Sequence, residues 1–276
     1  MIMKKIDMSV DYEKMGVTPP IEKASLLTYI LDTEPLHSSI WNKRPAVIVC
    51  MGGGYEFKSE REGEPVVLKY CAAGCHGFLL DYSVSPTGWP AATCELAKAI
   101  AYVRSIADEY DIDSERVYVC GFSAGGHLAA SSGVYWDNDL VHKFSQTKND
   151  ENRPDGMILG YPVISKKDSI THGTTRNVFV DGKPENLDIF ALDENVTQST
   201  PKTFLWHTFE DNCVPVENSM DFGMALLKNR VPFEMHIFPK GGHGLSLANP
   251  ITSTDETQNI PANQPWIDLS IEWLKG

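Results

Sequence analysis

Long hydrophobic runs are missing from this sequence. The most apolar stretch near its start, 46–51, is far short of the ~20 residues that a membrane span needs. The opening 1–12 carries two lysines but no apolar segment of signal-peptide length. The expectation is a soluble, cytoplasmic protein that does not engage a membrane. Positive charge is also scarce, with 24 Lys and Arg against 37 Asp and Glu and a net charge of −13. A chain this acidic repels phosphate backbones and anionic lipid, which argues against nucleic acid as a partner. The six cysteines form no CxxC pair, and Cys71 and Cys75, four apart, have no Cys/His pair at zinc spacing beside them. They read as free thiols of a reducing compartment. Repeats, low-complexity tracts, phosphate loops and dinucleotide fingerprints are absent as well, so neither a metal nor a cofactor is expected.

What is present is ordinary globular material, 276 residues with 42% hydrophobic and 22% charged side chains. A chain of this size buries roughly 70–75% of its surface and needs no staples. Short β-branched and apolar runs alternate with helical patterns, the mark of an α/β fold with a parallel sheet covered on both faces. Strands are expected at 24–31, 45–50, 77–82, 116–120, 156–162, 202–207 and 233–238. Ser59 to Glu62 fits a capping box opening a helix through Val66, Val67 and Tyr70, and 91–110, 216–229 and 267–274 have helical spacing. The segment 111–115 reads as a turn. No linker interrupts the chain, so 1–276 is read as one domain. The polar, weakly periodic segment 165–200 is the candidate insertion or partial cap.

One motif carries chemistry. Gly121-Phe122-Ser123-Ala124-Gly125 follows an apolar strand and precedes a small-residue helix. A serine hydroxyl attacks only when it is exposed, strained and beside a base, and glycines two residues away on each side permit the sharp turn that presents it. The base and its orienting acid should follow in the order acid, then histidine. Of the histidines after Ser123's helix, His243 in Lys240-Gly-Gly-His-Gly244 sits on a loop that can lift an imidazole over the sheet edge. The acid is expected on the loop after 203–207, where Asp211 is favoured and Glu210 is the alternative. Ala124 N–H should be one oxyanion donor. The others should come from the run Gly52–Gly54, with Gly53 and Gly54 the chosen pair. His127, one turn after Ser123, points into the fold and reads as a buried, hydrogen-bonded histidine. Tyr55, Trp89 and His207 are the candidate pocket residues. Asp81 ends a strand in a structural role.

Together these residues resemble the α/β-hydrolase superfamily, close to its hormone-sensitive-lipase-like and acetylxylan-esterase-like groups. The likeness runs from about Pro45 to Leu247. Gly52-Gly53-Gly54-Tyr55 is similar to the His-Gly-Gly-Gly loop of those families, although Met51 stands in place of the histidine, whose supporting role must be filled otherwise. Leu80-Asp81-Tyr82 with Pro86 and Trp89-Pro90-Ala91-Ala92, then Gly121–Ala129, continue the match, as do Trp206–Asp211, Val214–Asn218 and Gly242-His243-Gly244. The resemblance implies a mostly parallel sheet of about seven to eight strands and a small cap or none. It implies Ser123 as nucleophile, Asp211 as acid and His243 as base. It further implies hydrolysis of short-chain carboxylic esters, often acetyl groups on sugars, so the expected partner is a small ester. A homodimer stays open. Two other readings are weighed: a peptidase or amidase using the same triad, and a non-catalytic binding protein on this fold, against which the intact Ser123, Asp211 and His243 argue.

Overall fold

The computed structural model describes residues 1–32 and 43–276. In chain order the elements are β1 (Lys5–Asp7), α1 (Tyr12–Met15), β2 (Ser25–Tyr29), β3 (Arg44–Cys50), α2 (Glu64–Ala72), β4 (His76–Asp81) and α3 (Ala91–Ser105). Then follow β5 (Ile112–Phe122), α4 (Ala124–Val134), α5 (Asp139–Ser145), β6 (Gly156–Gly160), α6 (Gly173–Val180), α7 (Asn186–Phe190) and α8 (Leu192–Asn195). The chain ends with β7 (Thr203–Thr208), α9 (Glu217–Lys228), β8 (Phe233–Phe238) and α10 (Trp266–Lys275).

The strands form one eight-stranded sheet in the order β1-β2-β4-β3-β5-β6-β7-β8. From β4 to β8 every pair is parallel, while β1 and β2 are antiparallel additions at one edge. The expectation of a mostly parallel sheet covered by helices therefore holds. Burial explains the pattern. All residues of β6 and β7 are buried, as are all of β3 except Arg44, because helices lie on both faces. One core joins residues of α3, α4 and α9, such as Leu96, Leu128 and Phe222. The other joins α2 and α10 through Val66, Val67, Tyr70, Trp266 and Ile271. Among the described residues no helix is long and apolar enough to cross a membrane.

Strand order reverses between β3 and β5. From β3 the chain steps out to β4 on one side, and from β5 it steps out to β6, β7 and β8 on the other. The carboxyl ends of β3 and β5 thus flank a crevice that no crossover covers, the usual place for a site in an open α/β sheet.

Two local expectations are corrected. Ser59 to Glu62 is not a capping box: Ser59 makes no side-chain cap, the chain takes a single 3-10 turn at Glu60–Glu62, and Gly63 breaks it before α2 begins. Glu62 is pulled inward instead and is buried. Nor is 111–115 only a turn, because β5 starts at Ile112, where Arg44 of β3 pairs with it. The segment 165–200 forms α6, α7 and α8.

His127 lies on α4, fully buried beneath α7. Its Nε2 donates to Phe190 O (3.0 Å) and its Nδ1 accepts from Tyr55 OH (3.1 Å), so the ring is neutral. Burial lowers its pKa from 6.5 to about 4. Such a histidine takes up its proton only on unfolding, so acidification from 6.5 towards 4 favours the unfolded chain. In His127→Gln the fall in stability over that window should be shallower by up to about 1.4 kcal/mol per pH unit, read from urea unfolding at a series of pH values. An unchanged slope would mean that His127 is not held neutral.

Candidate active site

Ser123 sits between β5 and α4 at φ 53°, ψ −119°, in the left-handed half of the map that non-glycine residues avoid. The geometry survives because its neighbours leave room. A Cβ on Gly121 would stand 2.0 Å from Gly125 O, and one on Gly125 would stand 2.3 Å from both Cys50 O and Met51 O. The first turn of α4 is thus pressed onto the end of β3, and the two glycines are steric requirements. Ser123 N–H donates to Gly160 O (3.1 Å), and its carbonyl accepts from His127 N–H and Val163 N–H.

Asp211 lies three residues beyond β7, with its side chain fully buried. Oδ1 accepts from the backbone N–H groups of Cys213 (3.0 Å) and Val214 (2.9 Å), which form the tight turn around it. Oδ2 accepts from His243 Nδ1 (2.7 Å). On the far side of the ring, His243 Nε2 accepts from Ser123 Oγ (2.8 Å). The structure therefore brings Ser123, His243 and Asp211 into one hydrogen-bonded line. Burial alone would push the Asp211 carboxyl up, but hydrogen bonds from His207 and His243 and from the Val214 amide outweigh it. They hold the group well below the ordinary carboxylate range. Glu210, the alternative acid, points away to Lys240 at the surface.

Around this line is an open cleft of about 450 Å³ whose walls include Gly53, Gly54, Phe57, His172, Thr174 and Cys213. No hydrogen bond within the described residues engages the N–H of Gly53, Gly54 or Ala124. Gly52 N–H is occupied, because it donates to Glu62 Oε2 at 2.8 Å. Gly53 has φ 125° and backs onto Phe57, where a Cβ would come 2.1 Å from the Phe57 carbonyl oxygen. Among the described residues no group of three or more His, Cys, Asp or Glu side chains is arranged to hold a metal ion.

None of the three expected pocket residues is among the walls of this cleft, although Tyr55 and Trp89 line a small separate pocket. Tyr55 turns beneath the glycine loop, with its ring against Tyr82, His127 and Phe179 and its hydroxyl on His127. Trp89 packs between Tyr135 and Phe179. His207 is wholly buried behind the acid. Its Nδ1 accepts from Ser219 Oγ (2.7 Å), and its Nε2 donates to Val214 O (2.9 Å) with Asp211 Oδ2 at 3.3 Å. It supports Asp211 and forms no wall of the cleft. One of the wall residues not singled out in the sequence is His172. It caps α6, its Nδ1 accepting from Thr175 N–H (3.4 Å) and lying 2.7 Å from Thr175 Oγ1, and it lies beside Gly54 across the mouth. Desolvation, then the neighbouring His243, lower its pKa. Asp81 pairs with Lys58.

A parallel sheet with a strained serine at a strand-to-helix turn defines an α/β hydrolase. The profile of the BD-FAE family matches residues 36–226, and the chain belongs to that family. It is 35% identical to endo-1,4-beta-xylanase B of Butyrivibrio fibrisolvens over 213 residues, which is 75% of this chain but only 33% of that protein. The chain thus spans about a third of that relative's length. The crystal structure of an acetyl ester-xyloside bifunctional hydrolase from Caldicellulosiruptor lactoaceticus superposes with a TM-score of 0.81 at 34% identity, covering 99% of this chain and 95% of that one. A carboxylesterase from Lactobacillus plantarum superposes with a TM-score of 0.84 at 26% identity, covering 100% and 97%.

The packing of α4 on β3 gives a direct test. Gly125→Ala should cost about 3 kcal/mol or more, because rigid backbone oxygens meet the new methyl. Gly173→Ala, where nothing lies within 4 Å, should change stability by less than about 1 kcal/mol. Thermal melts of the two variants check this pair.

Proposed function

We propose that the chain is a carboxylic ester hydrolase in which Ser123 is the nucleophile, His243 the general base and acid, and Asp211 the group that orients His243. The observation carrying this reading is the continuous line Asp211 Oδ2, His243 Nδ1, His243 Nε2, Ser123 Oγ, with links of 2.7 and 2.8 Å. Nδ1 carries the proton given to Asp211, so Nε2 is the free base facing the hydroxyl. As Ser123 Oγ attacks the ester carbonyl, Nε2 takes its proton, and the buried carboxylate stabilises the imidazolium. The carbonyl oxygen becomes an oxyanion and is received by the N–H groups of Ala124, Gly53 and Gly54. Nε2 then gives its proton to the departing alkoxide, leaving an acyl-Ser123. Water, deprotonated by the same nitrogen, releases the acid and restores the serine.

Short acyl groups are the expected substrates, entering the cleft lined by Gly54, His172 and Thr174. The xylanase B and the acetyl ester-xyloside bifunctional hydrolase among the relatives support acetyl esters of sugars as the proposed substrate class. We also read 1–276 as one catalytic domain, with 165–200 as its partial cap. The six free cysteines, one of them exposed, favour a cytoplasmic setting.

Two expected outcomes test this. Ser123→Ala should abolish hydrolysis of p-nitrophenyl acetate with the fold intact, and retained turnover would reject the reading. Asp211→Asn should leave the fold in place but lower kcat by roughly three to four orders of magnitude, because Nδ1 loses the acceptor that fixes its tautomer. A panel of p-nitrophenyl esters of rising chain length and acetylated xylosides, compared by kcat/KM, should favour acetyl. A preference for long chains would contradict the short-acyl assignment.

A further inference from the structure

Glu62 is a buried carboxylate with no part in proton transfer, yet both its oxygens are committed beside the site. Oε2 accepts from Gly52 N–H (2.8 Å), the amide immediately before Gly53 and Gly54. Oε1 accepts from Tyr161 OH (2.7 Å). Tyr161 in turn accepts from Ser246 N–H (2.8 Å), three residues after the base, and its ring lies edge-on to His243 with centroids 5.1 Å apart. The neighbouring Arg61 closes the same bracket. Its guanidinium donates to Gly244 O (3.0 Å), and its carbonyl accepts from Ser246 Oγ (2.6 Å). One 3-10 turn therefore holds both the glycine loop and the His243 loop.

We propose that Glu62 is the positioning residue of the oxyanion loop. By holding Gly52 N–H and Tyr161 OH together, it fixes the glycine loop in register with the wall of His243, so that the Gly53 and Gly54 amides face Ser123. The supporting role left empty by Met51 falls to it. This inference rests on the esterase reading above. A carboxylate suits the task because it accepts from two donors, whereas the amide of a glutamine can accept through one oxygen only and brings a donor to the other bond. The loss should be felt in the transition state, where the oxyanion exists, and little in ground-state binding.

The test compares Glu62→Gln, Tyr161→Phe and Glu64→Gln with the unmodified chain. Each is assayed with p-nitrophenyl acetate for kcat and KM and with an alkyl boronic acid, whose tetrahedral adduct on Ser123 mimics the oxyanion intermediate. Glu62→Gln should lower kcat about 10- to 100-fold with KM within about twofold, and weaken the boronate by a similar factor. Tyr161→Phe, which removes the second bond to Glu62 together with the acceptor of Ser246 N–H, should lower kcat several-fold in the same pattern. Glu64, exposed two residues on and bonded to Tyr29, is the control and should stay within about twofold. A folded Glu62→Gln with unchanged kcat, or with a change in KM alone, overturns the proposal. If that variant does not fold, Tyr161→Phe decides by the same criterion. Ser123→Ala, run alongside, separates the two claims. If it kept turnover, the esterase reading would fall, whereas a failure confined to Glu62 leaves that reading intact.

Discussion

The site depends on how closely the first turn of α4 lies against the ends of β3 and β5. Carbonyls of Cys50 and Met51 touch the space where a side chain of residue 125 would be, and Gly121 lies under the same turn. That contact forces Ser123 to a positive φ and lifts its hydroxyl above the sheet. It also sets the glycine loop, which leaves β3 at Met51, beside the start of α4. On the proposed reading, nucleophile and amide donors are aligned by this backbone packing together with the Glu62 bond to Gly52 N–H, ahead of substrate.

Around this backbone core the buried titratable groups Asp211, His207, Glu62 and His127 each have hydrogen-bond partners. Asp211 is removed from water, but two amides and two histidines donate to it, and it stays ionised. His207, behind it, can serve because Ser219 fixes its other nitrogen as the acceptor. Glu62 is buried with both oxygens bonded. His127 is neutral and satisfied under α7. Each unpaired alternative would cost a desolvation penalty of about 1–3 kcal/mol or more.

Much of this was legible in the sequence. The sheet and most of its strands follow from apolar runs alternating with helical spacing. The serine turn was visible because a steric requirement writes itself locally, as glycines at fixed spacing. Asp211 and His243 could be placed because they lie on short loops after recognisable strands. What stayed hidden depends on contacts between distant segments. Ser59 to Glu62 matched a helix-capping pattern, yet Glu62 has partners 10 and 99 residues away. Tyr55, Trp89 and His207 all follow or end strands near the cleft, but aromatic packing and the needs of Asp211 draw them inward. His172 lies in a segment of weak periodicity, and only the path of α6 carries it to the mouth.

The central claim is that Ser123 becomes covalently acylated, and it can be observed directly. The protein is mixed with p-nitrophenyl acetate, quenched in acid during the first turnovers and digested for mass spectrometry. The account predicts one acetyl group on the peptide containing Ser123, absent from Ser123→Ala and lost on a time scale matching turnover. Turnover without acetyl on that peptide, or acetyl on another residue at a kinetically competent rate, would contradict it.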